Sequence, residues 1–428
     1  MFFSFPPLQI TDISLQWKDK RSFTEIEVPL LIDHIYSTNS KNRIILGDNK
    51  SSLASLLPEF QQRIQLIYLD PPFASEATYF GSLMIGKKRI KFPQYNDHWE
   101  RNQYLQFLYE RLILLHALLH KNGLLILHLD ENIVHESKLI LDEIFGVTNF
   151  RSEIIWELGT GAKSRKMYSI QHNTLLIYSK SKDWYFHANT PENRIPFSDT
   201  SIKTHFKNID EKGRRYRKRH VNGKDYIYYA DEGKMVGSVW TDISSMLGTS
   251  PIMKESTGYP TQKPQKLLER LIASCSQEGE FVLDPFMGSG STLRAAHKCN
   301  RHFIGLDKNA GSFQTVVKTF IDTNCYDFHS QFSETPSSTI QAEYTIKNNC
   351  VDIQITYSPI LDLLDTQTKV QDWLSFVIVR YQNKNKTEHF FDSDCTLQYE
   401  MEESWSQVHI ELWDKMGNFC RLQITELQ

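Results

Sequence analysis

Ile64-Gln65-Leu66-Ile67-Tyr68-Leu69-Asp70-Pro71-Pro72-Phe73 reads as a strand that runs directly into a stiff turn. A largely apolar run with β-branched residues, closed by an acidic residue and two prolines, is how a strand covered on both faces announces its end. The same grammar returns at Phe281-Val282-Leu283-Asp284-Pro285-Phe286-Met287-Gly288-Ser289-Gly290, where the turn is rich in glycine. Each string therefore sits at the carboxyl end of a strand, the edge at which open α/β sheets bind ligands.

Outward from these two junctions the chain alternates between strands and helices. Residues 43–46 form a strand that leads through Gly47-Asp48-Asn49 into a helix opened by Ser51 and Ser52 and running through Leu57. Residues 104–119 have helical period, with Leu105, Leu108, Leu112, Leu115 and Leu119 on one face, and Gly123 stops that helix. A buried strand at 124–129 and a helix at 133–145 with Gly146 behind it follow. Residues 154–157 and 174–178 suit two strands of a hairpin-like unit around the polar loop 160–172. Helix–strand alternation resumes with helices at 264–275 and 291–299 and strands at 281–284 and 302–306. This order predicts an α/β fold with a doubly wound, mostly parallel sheet.

Changes of composition divide the chain into an N-terminal arm (1–42), a first α/β part (43–182) and an aromatic, basic, irregular insert (183–257). A second α/β part (258–330) and a β-rich C-terminal domain (331–428) complete it, the latter entered through a linker at 331–340. In that last part residues 351–357, 374–381, 396–401, 408–413 and 420–425 alternate as strands, and 414–418 is the turn of a hairpin.

The chain has 428 residues, 40% hydrophobic and 23% charged, with a formal net charge of −3. That length accommodates two or three domains, and the charge excludes global basicity, so any nucleic-acid footprint must be local. No apolar run reaches membrane-spanning length, and Met1-Phe2-Phe3-Ser4-Phe5-Pro6-Pro7 lacks the basic flank of a secretory signal. The six cysteines are widely spaced without a CxxC pair, the pattern of reduced thiols in a cytoplasmic protein without membrane contact.

The glycine loop Phe286-x-Gly288-x-Gly290 opens a helix at Ser291 and Thr292, so its backbone N–H groups can approach a carboxylate or phosphate. Asp307, ending the next strand, is placed to accept the hydroxyls of a ribose. No Lys-Ser/Thr follows Gly290, which favours a nucleoside with a carboxylate tail over a triphosphate. In the other string, Asp70 and the carbonyl of Pro71 are acceptors, Pro72 fixes φ, and Phe73 offers a face to a planar base. Two acceptors on the two N–H groups of an aromatic amine favour the pyramidal nitrogen whose lone pair can attack an electrophilic carbon. His116 and His120, four apart, have no third ligand beside them, so no metal is expected. His172 is a loop residue near such a base.

These residues resemble the β-class S-adenosylmethionine-dependent DNA amino-methyltransferases, especially the adenine-N6 enzymes of restriction–modification type. The resemblance spans about 43–310 and also rests on Ile45-Leu46-Gly47-Asp48-Asn49, Gly123-Leu124-Leu125-Ile126 and Gly258-Tyr259-Pro260-Thr261-Gln262-Lys263-Pro264. The acceptor string ahead of the glycine loop is the family's permuted order of a Rossmann-like sheet. Met287 stands where the family often has Cys or a small residue, and Phe73 where Tyr is more frequent.

The resemblance implies that Asp70, Pro71, Pro72 and Phe73 hold a flipped base. It implies that Phe286, Gly288, Gly290 and Thr292 line the methionine part of S-adenosylmethionine, with Asp284 and Ser289 also among the cofactor-binding residues. Asp307 would take its ribose, Asp48 would approach its adenosine, and Thr261 and Lys263 would close the site. Asp rather than Ser before Pro71-Pro72 favours adenine over cytosine-N4 as target. A non-catalytic DNA-binding protein and an RNA or small-molecule methyltransferase are the rival readings.

Between Lys203 and Arg219 lie eight cations (Lys203, Lys207, Lys212, Arg214, Arg215, Arg217, Lys218, Arg219), with Tyr216, Tyr226, Tyr228, Tyr229 and Trp240 close by. This local cluster suits phosphate contact, and its place between the two strings matches the family's target-recognition region. Double-stranded DNA is thus the expected partner, with a second copy of the chain and a separate restriction endonuclease as candidate protein partners.

Overall fold

The computed structural model describes the chain except residues 6–13, 34–39, 76, 86–87, 160–164, 247–254, 324, 326, 335–336, 348–349, 364–372, 382–383, 389–395, 401–407 and 425–428. At its centre is a ten-stranded sheet. In chain order its strands are β1 (Ile32–Asp33), β2 (Arg43–Leu46), β3 (Ile64–Leu69), β4 (Leu119–Leu129) and β5 (Phe150–Glu157). They continue with β6 (His172–Ser179), β7 (Val239–Trp240), β8 (Phe281–Asp284), β9 (His302–Asp307) and β10 (His329–Phe332). Their spatial order is β7-β5-β6-β4-β3-β8-β9-β2-β10-β1. Only β1 and β6 run against the others, each antiparallel to its neighbours. The mostly parallel, doubly wound α/β sheet expected from the sequence is present.

Six helices cover the two faces: α1 (Asn49–Phe60), α2 (Arg101–Leu118), α3 (Val134–Phe145), α4 (Gln265–Cys275), α5 (Ser291–Lys298) and α6 (Ala310–Asp322). Strand β3 shows the division: Leu66 and Tyr68 pack with α4, α5 and α6, while Ile67 and Leu69 pack with α1, α2 and α3. This is the strand alternation of side chains put to use on both faces, and it is why the run reads as continuously apolar. Burying β3 completely draws its carboxyl end, and with it Asp70, to the lip of the sheet beside β8.

Several expectations require correction. Helix α2 ends at Leu118, and Leu119 already belongs to β4. Gly123 therefore stops no helix. It lies within the strand, where a Cβ would stand 2.8 Å from the Gln65 carbonyl oxygen of β3, so the residue serves close backbone approach. The chain between β3 and α2 carries an antiparallel hairpin, Thr78–Ile85 with Lys88–Asn96. The expected linker at 331–340 begins too early: Gln331 and Phe332 are buried residues of β10, and the unread helix α6 precedes them. Positions 335–336 of that linker, 160–164 of the polar loop, and Met401 and Thr425 at two strand ends lie outside the described residues.

The insert is less irregular than its composition suggests. It holds a helix, Asp199–His205, and a hairpin of Arg215–Val221 with Lys224–Tyr229, and it returns to the central sheet as β7, parallel to β5. The C-terminal strands form a three-stranded and a four-stranded sheet around their own apolar cluster. Trp413 and Phe419 depart from that cluster and join the main core near Phe313 and Phe332. A separate domain was the expectation; its last hairpin is instead packed into the α/β core.

Candidate active site

Strands β3 and β8 are parallel neighbours, with Leu283 opposite Ile67, so the two turns that follow them open on the same edge. Between these turns lies a cavity of about 430 Å³. Asp70, Pro71, Pro72 and Phe73 line it from one side. Asp48, Thr261, Lys263, Asp284, Phe286, Gly288, Ser289, Thr292 and Asp307 line it from the others. Of the residues singled out for these two roles, Gly290 alone is absent from the lining. It begins α5 with φ +74°, and a Cβ there would stand 2.7 Å from Val316 Cγ2 of α6. Its glycine is required by helix packing and backbone conformation.

The Asp70 carboxylate is divided between two environments. Its Oδ2 accepts from the Lys263 ammonium, whereas its Oδ1 is buried and has no hydrogen-bond partner among the described residues. Burial raises the Asp70 pKa, and the Lys263 charge opposes that rise. Lys263 Nζ also stands 5.2 Å from the centre of the Phe73 ring. The lysine is thus placed on the acceptor side of the cavity, a pairing the sequence did not reveal. A buried acceptor without a donor is costly, and the residue that carries it lines the cavity.

The carboxylates below the glycine loop are engaged by its backbone. Phe286 N–H donates to Asp284 Oδ1 at 2.9 Å, and Gly288 N–H donates to Asp307 Oδ2 at 3.0 Å. Asn309 N–H donates to Asp307 Oδ1 at 2.8 Å. Burial, with the nearby charges of Asp70 and Asp307, pushes the Asp284 carboxyl up to about 7; burial also raises Asp307. Asp48 caps α1 through Lys50 N–H at 2.9 Å and receives Arg111 Nη2 at 3.2 Å. In all, five carboxylates (Asp48, Asp70, Asp97, Asp284, Asp307) against two ammonium groups (Lys263, Lys308) line the cavity. Such a lining favours a ligand that brings positive charge.

Four further residues take part that their local sequence does not mark. Asp97, the first residue after the hairpin strand Lys88–Asn96, accepts backbone hydrogens from the turn that carries Phe73. Trp99 and Phe107 add an aromatic wall, their ring centres 4.7 Å apart. Tyr68, two residues before Asp70, reaches the cavity with its hydroxyl 2.8 Å from Nδ1 of the buried His128. Only the alternation of β3, which puts residues 68 and 70 on one face, could have pointed to Tyr68.

His172 begins β6 opposite Glu157 and is not part of the lining. His116 and His120 do not share a helix, because α2 has ended before His120; burial lowers the His116 pKa to about 3. No group of three metal-binding side chains occurs among the described residues.

The basic cluster falls on the insert, away from this lining. Arg214 is paired with Asp231 and Glu232, Lys218 with Asp225, and Arg217 lies over the rings of Phe206 and Tyr228 at 5.1 and 5.2 Å. Lys203, Lys207, Lys212, Arg215 and Arg219 are exposed.

The model of a family described as DNA methylase matches residues 64–318, more than half of the chain. Among similar proteins, the type II methyltransferase M.EcaI of Enterobacter cloacae is 27% identical over 326 residues, covering 65% of this chain and 69% of its own. The type II methyltransferase M1.MboII of Moraxella bovis is 30% identical over 251 residues, covering 58% and 85% respectively. The DNA adenine methyltransferase YhdJ of Escherichia coli (strain K12) is 27% identical over 275 residues, covering 64% and 80%.

Proposed function

The chain belongs to the DNA methylase family, and from that premise we propose that it transfers the methyl group of S-adenosylmethionine to N6 of an adenine extruded from duplex DNA. The observation that carries this reading is Asp70: it lines the same cavity as the glycine loop, and its buried Oδ1 has no donor among the described residues. The lining fits the cofactor, because an excess of carboxylates complements its sulfonium and ammonium charges.

When bound, S-adenosylmethionine supplies a methyl group on a positively charged sulfur. The chain's own residues do the rest by positioning. Asp70 Oδ1 and the Pro71 carbonyl accept the two N–H groups of the target amine and release its lone pair from the ring. Phe73 stacks on the base, an interaction worth roughly 1–3 kcal/mol. Asp284, Phe286, Gly288, Ser289 and Thr292 hold the methionine portion, Asp307 the ribose, and Asp48 the adenosine end. Thr261 and Lys263 close the site, with Lys263 also steadying Asp70. Asp before Pro71-Pro72, and a relative named as a DNA adenine methyltransferase, support adenine as the target.

Extruding the base costs a few kcal/mol, which contacts elsewhere on the duplex must offset. Lys203, Lys207, Lys212, Arg215 and Arg219 are the phosphate contacts in this reading. The type II naming of two relatives supports a separate endonuclease as partner. Among the described residues no helix is long and apolar enough to cross a membrane, consistent with action in the cytoplasm, where the DNA is.

The test is transfer of a labelled methyl group to random-sequence duplex DNA, followed by nucleoside mass spectrometry. N6-methyladenine is the expected product. N4-methylcytosine, or label only in structured RNA, would overturn the reading.

A further inference from the structure

The turn after Asp70 presents three consecutive backbone N–H groups, those of Phe73, Ala74 and Ser75, toward one carboxylate. Phe73 N–H and Ser75 N–H donate to Asp97 Oδ2 at 3.1 and 3.0 Å, and Ala74 N–H donates to Asp97 Oδ1 at 3.2 Å. The Ser75 hydroxyl adds a fourth bond to Oδ2 at 2.7 Å. Asp97 is 0% exposed, and its own N–H donates to the Ala77 carbonyl at 2.9 Å, so Ala77 as well as Phe73, Ala74 and Ser75 is tied to residue 97. No lysine or arginine pairs with Asp97 among the described residues, so hydrogen-bond donors alone compensate its charge there. Successive N–H groups around one anion form a concave nest, here occupied by the chain's own side chain.

The arrangement has a conformational purpose. Ala74 has φ +53°, in the left-handed region that L-residues other than glycine seldom enter. An alanine stays there only when its surroundings over-determine it. That kink lies directly behind Phe73, in the same short turn as Pro71 and Pro72. Asp70 itself ends a fully buried strand and needs no such help.

We propose that Asp97 is the positioning residue for methyl transfer. By clamping three amides and one hydroxyl, it sets the second acceptor and the stacking ring against Asp70. This inference rests on the function proposed above, and the two can fail separately.

Asp97→Asn is nearly isosteric, but it replaces one acceptor oxygen with an amide group that opposes the Ala74 N–H. Displacements of about 1 Å in a reacting group lower rates about 10²-fold, and that fall in kcat is expected. S-adenosylmethionine affinity by calorimetry should stay within twofold, because the glycine loop keeps its own clamps. In hydrogen exchange, the amides of Phe73, Ala74 and Ser75 should lose protection while those of β3 and β8 keep theirs.

A kcat within threefold of the parent overturns the proposal. So does a loss of cofactor affinity and melting temperature in step with activity, which would make Asp97 only a fold residue. Should Asp97→Asn not fold, Ser75→Ala decides: a several-fold lower kcat at unchanged cofactor affinity supports the clamp, and an unchanged kcat overturns it. If the parent protein itself transfers no methyl group, the proposed function falls, and the exchange pattern still tests the clamp.

Discussion

The cavity at the sheet edge and the hairpin of the insert treat charge in opposite ways. In the cavity, carboxylates are buried, and backbone N–H groups from neighbouring turns hold them: Asp97 under the acceptor turn, Asp284 and Asp307 under the glycine loop. On and beside the hairpin, Arg215, Lys218 and Arg219 are exposed and Arg214 and Arg217 half-buried, and Arg214, Arg217 and Lys218 are engaged by Asp225, Asp231, Glu232 or aromatic rings of the insert. The first arrangement is finished before any ligand arrives, and a low-dielectric surround makes each contact count. The second is adjustable, because ion pairs in water are worth little and can be traded for phosphates. In the proposed function, chemistry is thus built on rigid turns, and DNA recognition on a surface that can be rearranged.

The sharpest way to break this contrast is Asp70→Ala. Losing one preorganised partner of the reacting group should lower methyl transfer about 10³-fold. Cofactor affinity should change little in calorimetry; a parallel loss of both would mean that the two turns do not have separate tasks.

Next in size is the double change Arg215→Ala with Arg219→Ala. DNA binding should weaken about tenfold at moderate salt, and the slope of log affinity against log salt should flatten by about 2. Cofactor binding in the same variant should respond to salt no more than in the parent. A salt slope as steep as the parent's would remove this strand from the interface.

A smaller effect tests the acidic cavity. The Asp284 carboxyl lies at about 7, so near neutrality it is only part ionised. A cationic ligand favours the ionised form, so binding S-adenosylmethionine should release a fraction of a proton, and affinity should rise with pH through about 7. Calorimetry in buffers of different ionisation enthalpy measures that fraction, and zero or net uptake contradicts the sign. For the fold alone the sign is reversed: a raised carboxyl pKa contributes stability below the ordinary carboxylate value and loses it as pH rises through about 7.

The smallest change is expected from Arg214→Ala. Because this guanidinium is already shared by Asp231 and Glu232, DNA affinity should fall by no more than about threefold. A fall as large as that of the double variant would show that the internal pairs dissolve on binding.

Much of the sheet was legible because parallel strands covered on both faces leave unbroken apolar runs: 43–46, 64–69 and 281–284 were read with the bounds the structure gives them. The cavity lining was legible for a related reason, since short strings at strand ends stay together wherever the sheet goes. What could not be read depends on contacts between distant segments. Asp97 is a single acid in a polar stretch, and nothing local marks it as the partner of Phe73, 24 residues earlier. Gly123 and Gly290 look like a helix stop and a ligand glycine, yet their neighbours, Gln65 and Val316, set their roles. Lys263 follows its motif in order, but its ion pair with Asp70 spans 193 residues. Alternation identified the strands at 408–413 and 420–425 without revealing that Trp413 and Phe419 turn toward another core.

That last hairpin carries a consequence for anyone seeking a minimal version of this protein. Asp414 gathers the N–H groups of Met416 and Asn418 at 2.8 and 2.9 Å, and Gly417 then sits so near α6 that a Cβ would be 2.4 Å from Gly311 N. The helix it abuts begins just past Asp307 and Asn309, both of which reach the cavity. The hairpin therefore behaves as a keystone: trimming the chain after residue 330 would keep every recognisable string yet strip the support from behind α6 and the Asp307 carboxylate. It would also remove Trp413 from the ring of Phe313 and leave that face bare, an invitation to aggregate.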